Sequence, residues 1–209
     1  MKPIAGLPLR NHFLPADRKD SGLLIVMHGL GDRMESFFDF PSFLLGSRIS
    51  YLFLNAPDEY VVGWKWYDLD GQQETGLKKS RTLLQQVFAH LENEEGIPTD
   101  QIVLSGFSQG AVVSLYTGIR QDVPLAGMGA LSGYLFGGLS ESTEESKKTP
   151  IFMTHGLYDD VLPFQTSEEH ANELSESGYK LDWRDYPMGH QICQEEMQDF
   201  GQWLGAILT

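Results

Sequence analysis

Apolar residues in this chain gather into short unbroken runs that stop at glycine or proline. Leu23-Leu24-Ile25-Val26-Met27 enters His28-Gly29, and Tyr51-Leu52-Phe53-Leu54 stops at Asn55-Ala56-Pro57. Ile102-Val103-Leu104 leads into Ser105-Gly106, and Ile151-Phe152-Met153 into His155-Gly156. Runs without polar alternation fit strands covered on both faces. Gly127–Leu131 and Leu181–Tyr186 are weaker strand candidates.

Between the runs the apolar period lengthens to three or four residues. Leu83, Leu84, Val87, Phe88 and Leu91 share one helical face, and Gly96 follows as a C-terminal stop. Further helical patterns cover 111–119, 168–174 and 195–208. Alternating strands and helices predict a three-layer α/β fold, with a mainly parallel central sheet and helices on both faces. Right-handed crossovers then bring the strand carboxyl ends to one edge, where open α/β sheets carry their chemistry. Two segments break the alternation: 55–73, which holds Trp64, Trp66 and Tyr67, and 132–149, rich in Gly, Ser and Glu. Loops this long are usually functional or mobile. With no repeat or linker in the pattern, residues 1–209 read as a single domain.

Composition narrows the class. The chain has 209 residues, 29 acidic side chains and 15 Lys and Arg, a formal charge of −14. Such a surface disfavours nucleic acid and anionic membranes as bulk electrostatic partners. One cysteine, Cys193, excludes an internal disulfide and a cysteine-held metal cluster. Pro3, Gly6 and Pro8 interrupt the amino end, so neither a signal peptide nor an integral membrane segment is expected, and the reading is cytoplasmic.

The most specific chemical signal is Gly106-Phe107-Ser108-Gln109-Gly110, a G-x-S-x-G between a strand and a helix. That context suits a nucleophile elbow, with Ser108 exposed on a tight turn at a helix head. A serine hydroxyl needs an oriented base. His190 follows the last strand in Tyr186-Pro187-Met188-Gly189-His190, and Asp159 and Asp160 follow His155-Gly156 as candidate orienting acids. The chain order Ser, Asp, His is that of the α/β-hydrolases. His28 and His155, each before a glycine at a strand end, read as loop-holding residues. His12, His90 and His170 read as ordinary surface ones. An oxyanion requires two N–H donors. The residue after the nucleophile, Gln109, supplies one, and Leu30 in the loop His28-Gly29-Leu30-Gly31-Asp32 the other.

These segments, with Trp66-Tyr67-Asp68, Leu131-Ser132-Gly133 and Pro163, resemble in order and spacing the phospholipase/carboxylesterase family, which includes acyl-protein thioesterases and small carboxylesterases. The resemblance implies an α/β-hydrolase fold without a cap domain and a Ser/Asp/His hydrolase needing no cofactor and no metal. It assigns the acid to Asp159 and supports Leu30 and Gln109 as oxyanion donors. Two residues depart from the family pattern: Ala111 stands where a second glycine is common, and Arg33 where a small or hydroxyl residue is usual.

Apolar residues at the active edge suggest an acyl groove, with Trp66, Leu162, Phe136 and Met34 as substrate-binding candidates. Trp64 and Trp66, on the long loop, suggest a channel wall or a lip for transient membrane-surface contact. The expected substrate is an ester of a short-to-medium acyl chain. An acyl-protein thioesterase or lysophospholipase is the enzymatic alternative, and a non-catalytic acyl-ligand binder the alternative of another class. Monomer and homodimer are both compatible with the sequence. Asp68-Leu69-Asp70-Gly71 is too short for a calcium loop, and Gly127-Met128-Gly129 lacks the third glycine of a dinucleotide site.

Overall fold

The computed structural model describes residues 2–18 and 21–208. Seven strands form one sheet: β1 (Asn11–Leu14), β2 (Leu23–Met27), β3 (Ser50–Leu54), β6 (Ile102–Phe107), β7 (Gly127–Leu131), β8 (Ile151–Gly156) and β9 (Leu181–Tyr186). Their spatial order is β1-β3-β2-β6-β7-β8-β9. Every neighbouring pair is parallel except β1 with β3. A two-stranded hairpin, β4 (Asp58–Glu59) with β5 (Trp64–Lys65), stands apart from the sheet in the 55–73 loop.

The unbroken apolar runs are explained by cover on both faces. Leu23, Ile25 and Met27 point to one side, where they pack with residues of α2 (Gln73–Asn93), α3 (Gln109–Gly118) and α4 (Phe164–Glu176). Leu24 and Val26 point to the other, toward α1 (Phe40–Phe43) and α5 (Gln194–Leu208). Opposite Cβ directions at successive residues make both faces apolar.

Two features depart from a plain reading of the periodicity. The β2-to-β3 crossover has no long helix; short helical turns at 34–37, 40–43 and 46–48 carry it, anchored by buried Phe37, Phe40, Leu45 and Ile49. Strand β1, whose sequence Asn-His-Phe-Leu carries no continuous apolar run, closes one sheet edge antiparallel to β3. No described helix is long and apolar enough to cross a membrane.

Candidate active site

Strand β6 ends at Phe107, α3 begins at Gln109, and Ser108 between them has φ 54° and ψ −115°. A non-glycine residue at positive φ is strained by roughly 1–3 kcal/mol and persists only when its surroundings hold it. Here the Ser108 N–H donates to the Leu131 carbonyl on β7 at 2.9 Å, and the Ser108 carbonyl accepts from the Val112 N–H at 3.1 Å. The flanking glycines are required by close approach. A Cβ on Gly106 would lie 2.3 Å from the Gly110 carbonyl carbon, and one on Gly110 would lie 2.4 Å from the Met27 carbonyl oxygen.

At the carboxyl edge of the sheet two more loops converge on this serine. His190, beyond β9, has Nε2 2.9 Å from Ser108 Oγ and Nδ1 2.7 Å from Asp159 Oδ2. Asp159, beyond β8, has a fully buried side chain, whereas Asp160 is exposed. The Asp159 Oδ1 accepts the N–H groups of Val161 and Leu162, each at 2.9 Å. Burial alone would push this carboxyl up, but the Leu162 N–H, His190 and the Val161 N–H outweigh it and hold Asp159 below its usual range. An ionised acid beside Nδ1 fixes the imidazole with its Nδ1–H on the acid and the Nε2 lone pair toward the hydroxyl.

Two main-chain N–H groups flank the serine. Gln109 opens α3, so its N–H has no carbonyl one turn earlier to accept it. Leu30 lies in the loop after β2, and its N–H has no protein acceptor among the described residues. That loop is held from below by His28, which is fully buried. Its Nε2 accepts the Ala56 N–H at 3.1 Å, so the proton sits on Nδ1 and is donated to the Gly29 carbonyl at 2.6 Å. Desolvation lowers its basicity, in keeping with a neutral structural ring. The hairpin braces the same loop from the side: the Gly31 N–H donates to the Trp64 carbonyl at 2.9 Å, and the Trp64 N–H to the Asp32 carbonyl at 3.0 Å.

A cleft of about 350 Å³ opens over Ser108 and His190. Its apolar walls are Leu30, Tyr67, Leu69, Phe107, Tyr134, Val161 and Leu162, with Asp32 at the rim. Its size lies within the range of small-molecule sites. Of the four residues expected to contact substrate, Leu162 is there. The other three are elsewhere. Trp66 is fully buried beneath the site, where its indole N–H donates to the His28 carbonyl at 2.9 Å. Met34 turns into the core cluster around Phe37 and Phe40. Phe136 packs on Tyr116, ring centroids 6.4 Å apart. Trp64 is no lip either: it is half-buried, with the Arg10 guanidinium 5.0 Å over its ring.

Leu69 and Val161 were not among the apolar residues the sequence suggested, although both line the mouth and are 62% and 61% exposed. Single apolar residues in polar loops carry no periodic signal. Cys193 is half-buried and unpaired. It opens α5 instead of facing the serine: its Sγ accepts the Glu196 N–H at 3.5 Å. Among the described residues no group of three or more His, Cys, Asp or Glu is placed to hold a metal ion.

The family profile described as phospholipase/carboxylesterase matches residues 12–208. Acyl-protein thioesterase 1 of Aspergillus fumigatus is 30% identical over 96% of this chain and 94% of its own. The protein of the same name from Neurospora crassa is 33% identical over 88% and 86%. Among solved structures, esterase PE8 superposes with a TM-score of 0.83 at 26% identity, covering 96% of this chain and 99% of its own. The Bacillus cereus carboxylesterase shares the fold, with a TM-score of 0.87 at 16% identity over 98% and 97%. With nearly its whole length matched by the family profile, the chain belongs to the phospholipase/carboxylesterase family.

Proposed function

We propose that this protein hydrolyses carboxylic esters of short-to-medium acyl chains through an acyl-enzyme on Ser108. The observation that carries the reading is the contact chain Ser108 Oγ–His190 Nε2 at 2.9 Å and His190 Nδ1–Asp159 Oδ2 at 2.7 Å. His190 takes the hydroxyl proton as Oγ attacks the acyl carbon, and buried Asp159 stabilises the imidazolium that forms. The negative oxygen of the tetrahedral intermediate is bound by the N–H groups of Leu30 and Gln109 at the head of α3. His190 returns the proton to the departing alcohol. Water, deprotonated by the same imidazole, then attacks the acyl-enzyme and releases the acid. The acyl chain lies along the apolar walls beside Leu162.

A thioester substrate is the second reading, favoured by the names of the relatives from Aspergillus fumigatus and Neurospora crassa. It uses the same steps with a thiol leaving group. The proposal places the enzyme in the cytoplasm, where an unpaired Cys193 is stable as a thiol. Labelling by a fluorophosphonate and turnover of nitrophenyl esters beside acyl-thioesters test it. Wild-type protein is expected to label and turn over, and Ser108→Ala to do neither while keeping its circular dichroism. An unlabelled wild type identifies a binder, and a higher kcat/KM on thioesters assigns the second reading.

A further inference from the structure

His155 is the penultimate residue of β8, four before Asp159, and its ring is completely buried. Its Nε2 is 2.9 Å from the Leu162 carbonyl oxygen and 3.1 Å from Asp159 Oδ2. Both neighbours are acceptors only, so Nε2 carries the proton. The N–H donates to the Leu162 carbonyl and turns its positive end to the carboxylate as well. Nδ1 is buried and has no hydrogen-bond partner among the described residues. A proton there would be an unpaired buried donor, which is strongly unfavourable, so the ring is neutral. Loss of solvent around the ring acts in the same direction.

The Leu162 held by this ring also donates its own N–H to Asp159 Oδ1. One imidazole N–H thus pins the loop that wraps the acid and also faces the oxygen that His190 uses. A neutral donor orients the carboxylate without cancelling its charge, which a buried cation in the same place would do.

We propose that His155 is a positioning residue for the reaction: a neutral imidazole that aims Asp159 Oδ2 at His190. The inference rests on the triad reading above and goes beyond it, since His155 touches neither substrate nor the nucleophile. The acid matters chiefly in the transition state, as the imidazolium forms, so misaiming it lowers kcat more than it raises KM.

The test compares His155→Leu, His155→Gln and Asp159→Asn. Kinetics on a nitrophenyl ester are read with the low-field proton resonance of the His190 Nδ1–H. His155→Leu removes the donor, and kcat is expected to fall about 10²-fold, the scale of a small misplacement, with KM within twofold. The low-field resonance should move or broaden. His155→Gln can place an amide N–H near the same point, and should restore most of the activity and the resonance. Wild-type kcat and resonance in His155→Leu overturn the proposal, as does a folded His155→Gln impaired as severely as the leucine variant. If His155→Leu does not fold, His155→Asn, polar but too short to reach Asp159, is judged by the same criterion. An active Asp159→Asn means that the triad reading itself has failed. An inactive Asp159→Asn beside a wild-type His155→Leu means that only the role of His155 has.

Discussion

The side chain of Gln109 holds the main chain of Trp66: its Oε1 accepts the Trp66 N–H at 3.0 Å, while its Nε2 donates to the neighbouring Tyr67 carbonyl at 3.0 Å. The same residue presents its backbone N–H beside Ser108. The 55–73 loop is therefore tied directly to the proposed oxyanion site. Gln109→Ala keeps the backbone donor but leaves a buried N–H and a buried carbonyl without partners, each worth about 1–3 kcal/mol. A lowered midpoint in urea is expected, with kcat reduced at least tenfold. Wild-type stability in this variant would show that the loop does not depend on the amide.

Glu196 gives stability a pH dependence of its own. It is fully buried near the start of α5, bonded by the Thr154 hydroxyl and faced by the Cys193 N–H, and burial pushes its carboxyl from 4.5 up to about 7. The folded state thus binds a proton that the unfolded state has already released. Its contribution is complete below about 4.5, the ordinary value, and is lost as pH rises through the folded value, at up to about 1.4 kcal/mol per pH unit. Asp159 has the opposite sign: its contribution is present above the ordinary aspartate value and fades as pH falls through its depressed one. The two windows are separate. Glu196→Gln should flatten the decline in Tm between pH 5 and 7, while a slope equal to that of wild type would assign it to other groups.

Gly110 cannot gain a side chain without moving β2. Gly110→Ala sets a methyl 2.4 Å from the Met27 carbonyl oxygen and 2.8 Å from that of His28. Overpacking of this kind destabilises by about 1–3 kcal/mol. Because the displaced strand leads into the Leu30 loop, activity should fall more than stability. Equilibrium unfolding and ester turnover measured together check the two effects.

The apolar walls predict the chain-length preference. Each methylene removed from water contributes about 0.8 kcal/mol, up to fourfold in kcat/KM. Nitrophenyl esters should improve beyond four carbons and then level off as the chain passes Leu69 and Val161, where the cleft meets solvent. Leu162→Ala should weaken the preference. A steady fall from four to twelve carbons contradicts an apolar acyl groove.

Much of this was legible along the chain. The two-sided runs gave β2, β3, β6 and β8, because full burial leaves no polar alternation to confuse with a helix. The elbow was legible because its glycines are demanded by local contacts with neighbouring elements, and His190 and Asp159 because both follow strands whose carboxyl ends share an edge. What local pattern could not supply was the fate of isolated residues. Trp66 resembles an exposed loop aromatic until its indole is seen to reach the carbonyl of His28, 38 positions away. β1 stayed hidden because four half-polar residues at a sheet edge follow no period.

The sequence by itself determined the order of the buried strands and the main helices and pointed to the candidate reacting groups, since burial periodicity and glycine spacing are local consequences of covalent geometry. Periodicity left two adjacent aspartates open, family resemblance favoured Asp159, and tertiary structure showed it against His190. Tertiary structure alone decided which aromatics wall the cleft and that His155 faces the acid. Those relations depend on through-space distances between loops far apart in the chain. Packing sets them, and no local pattern encodes them.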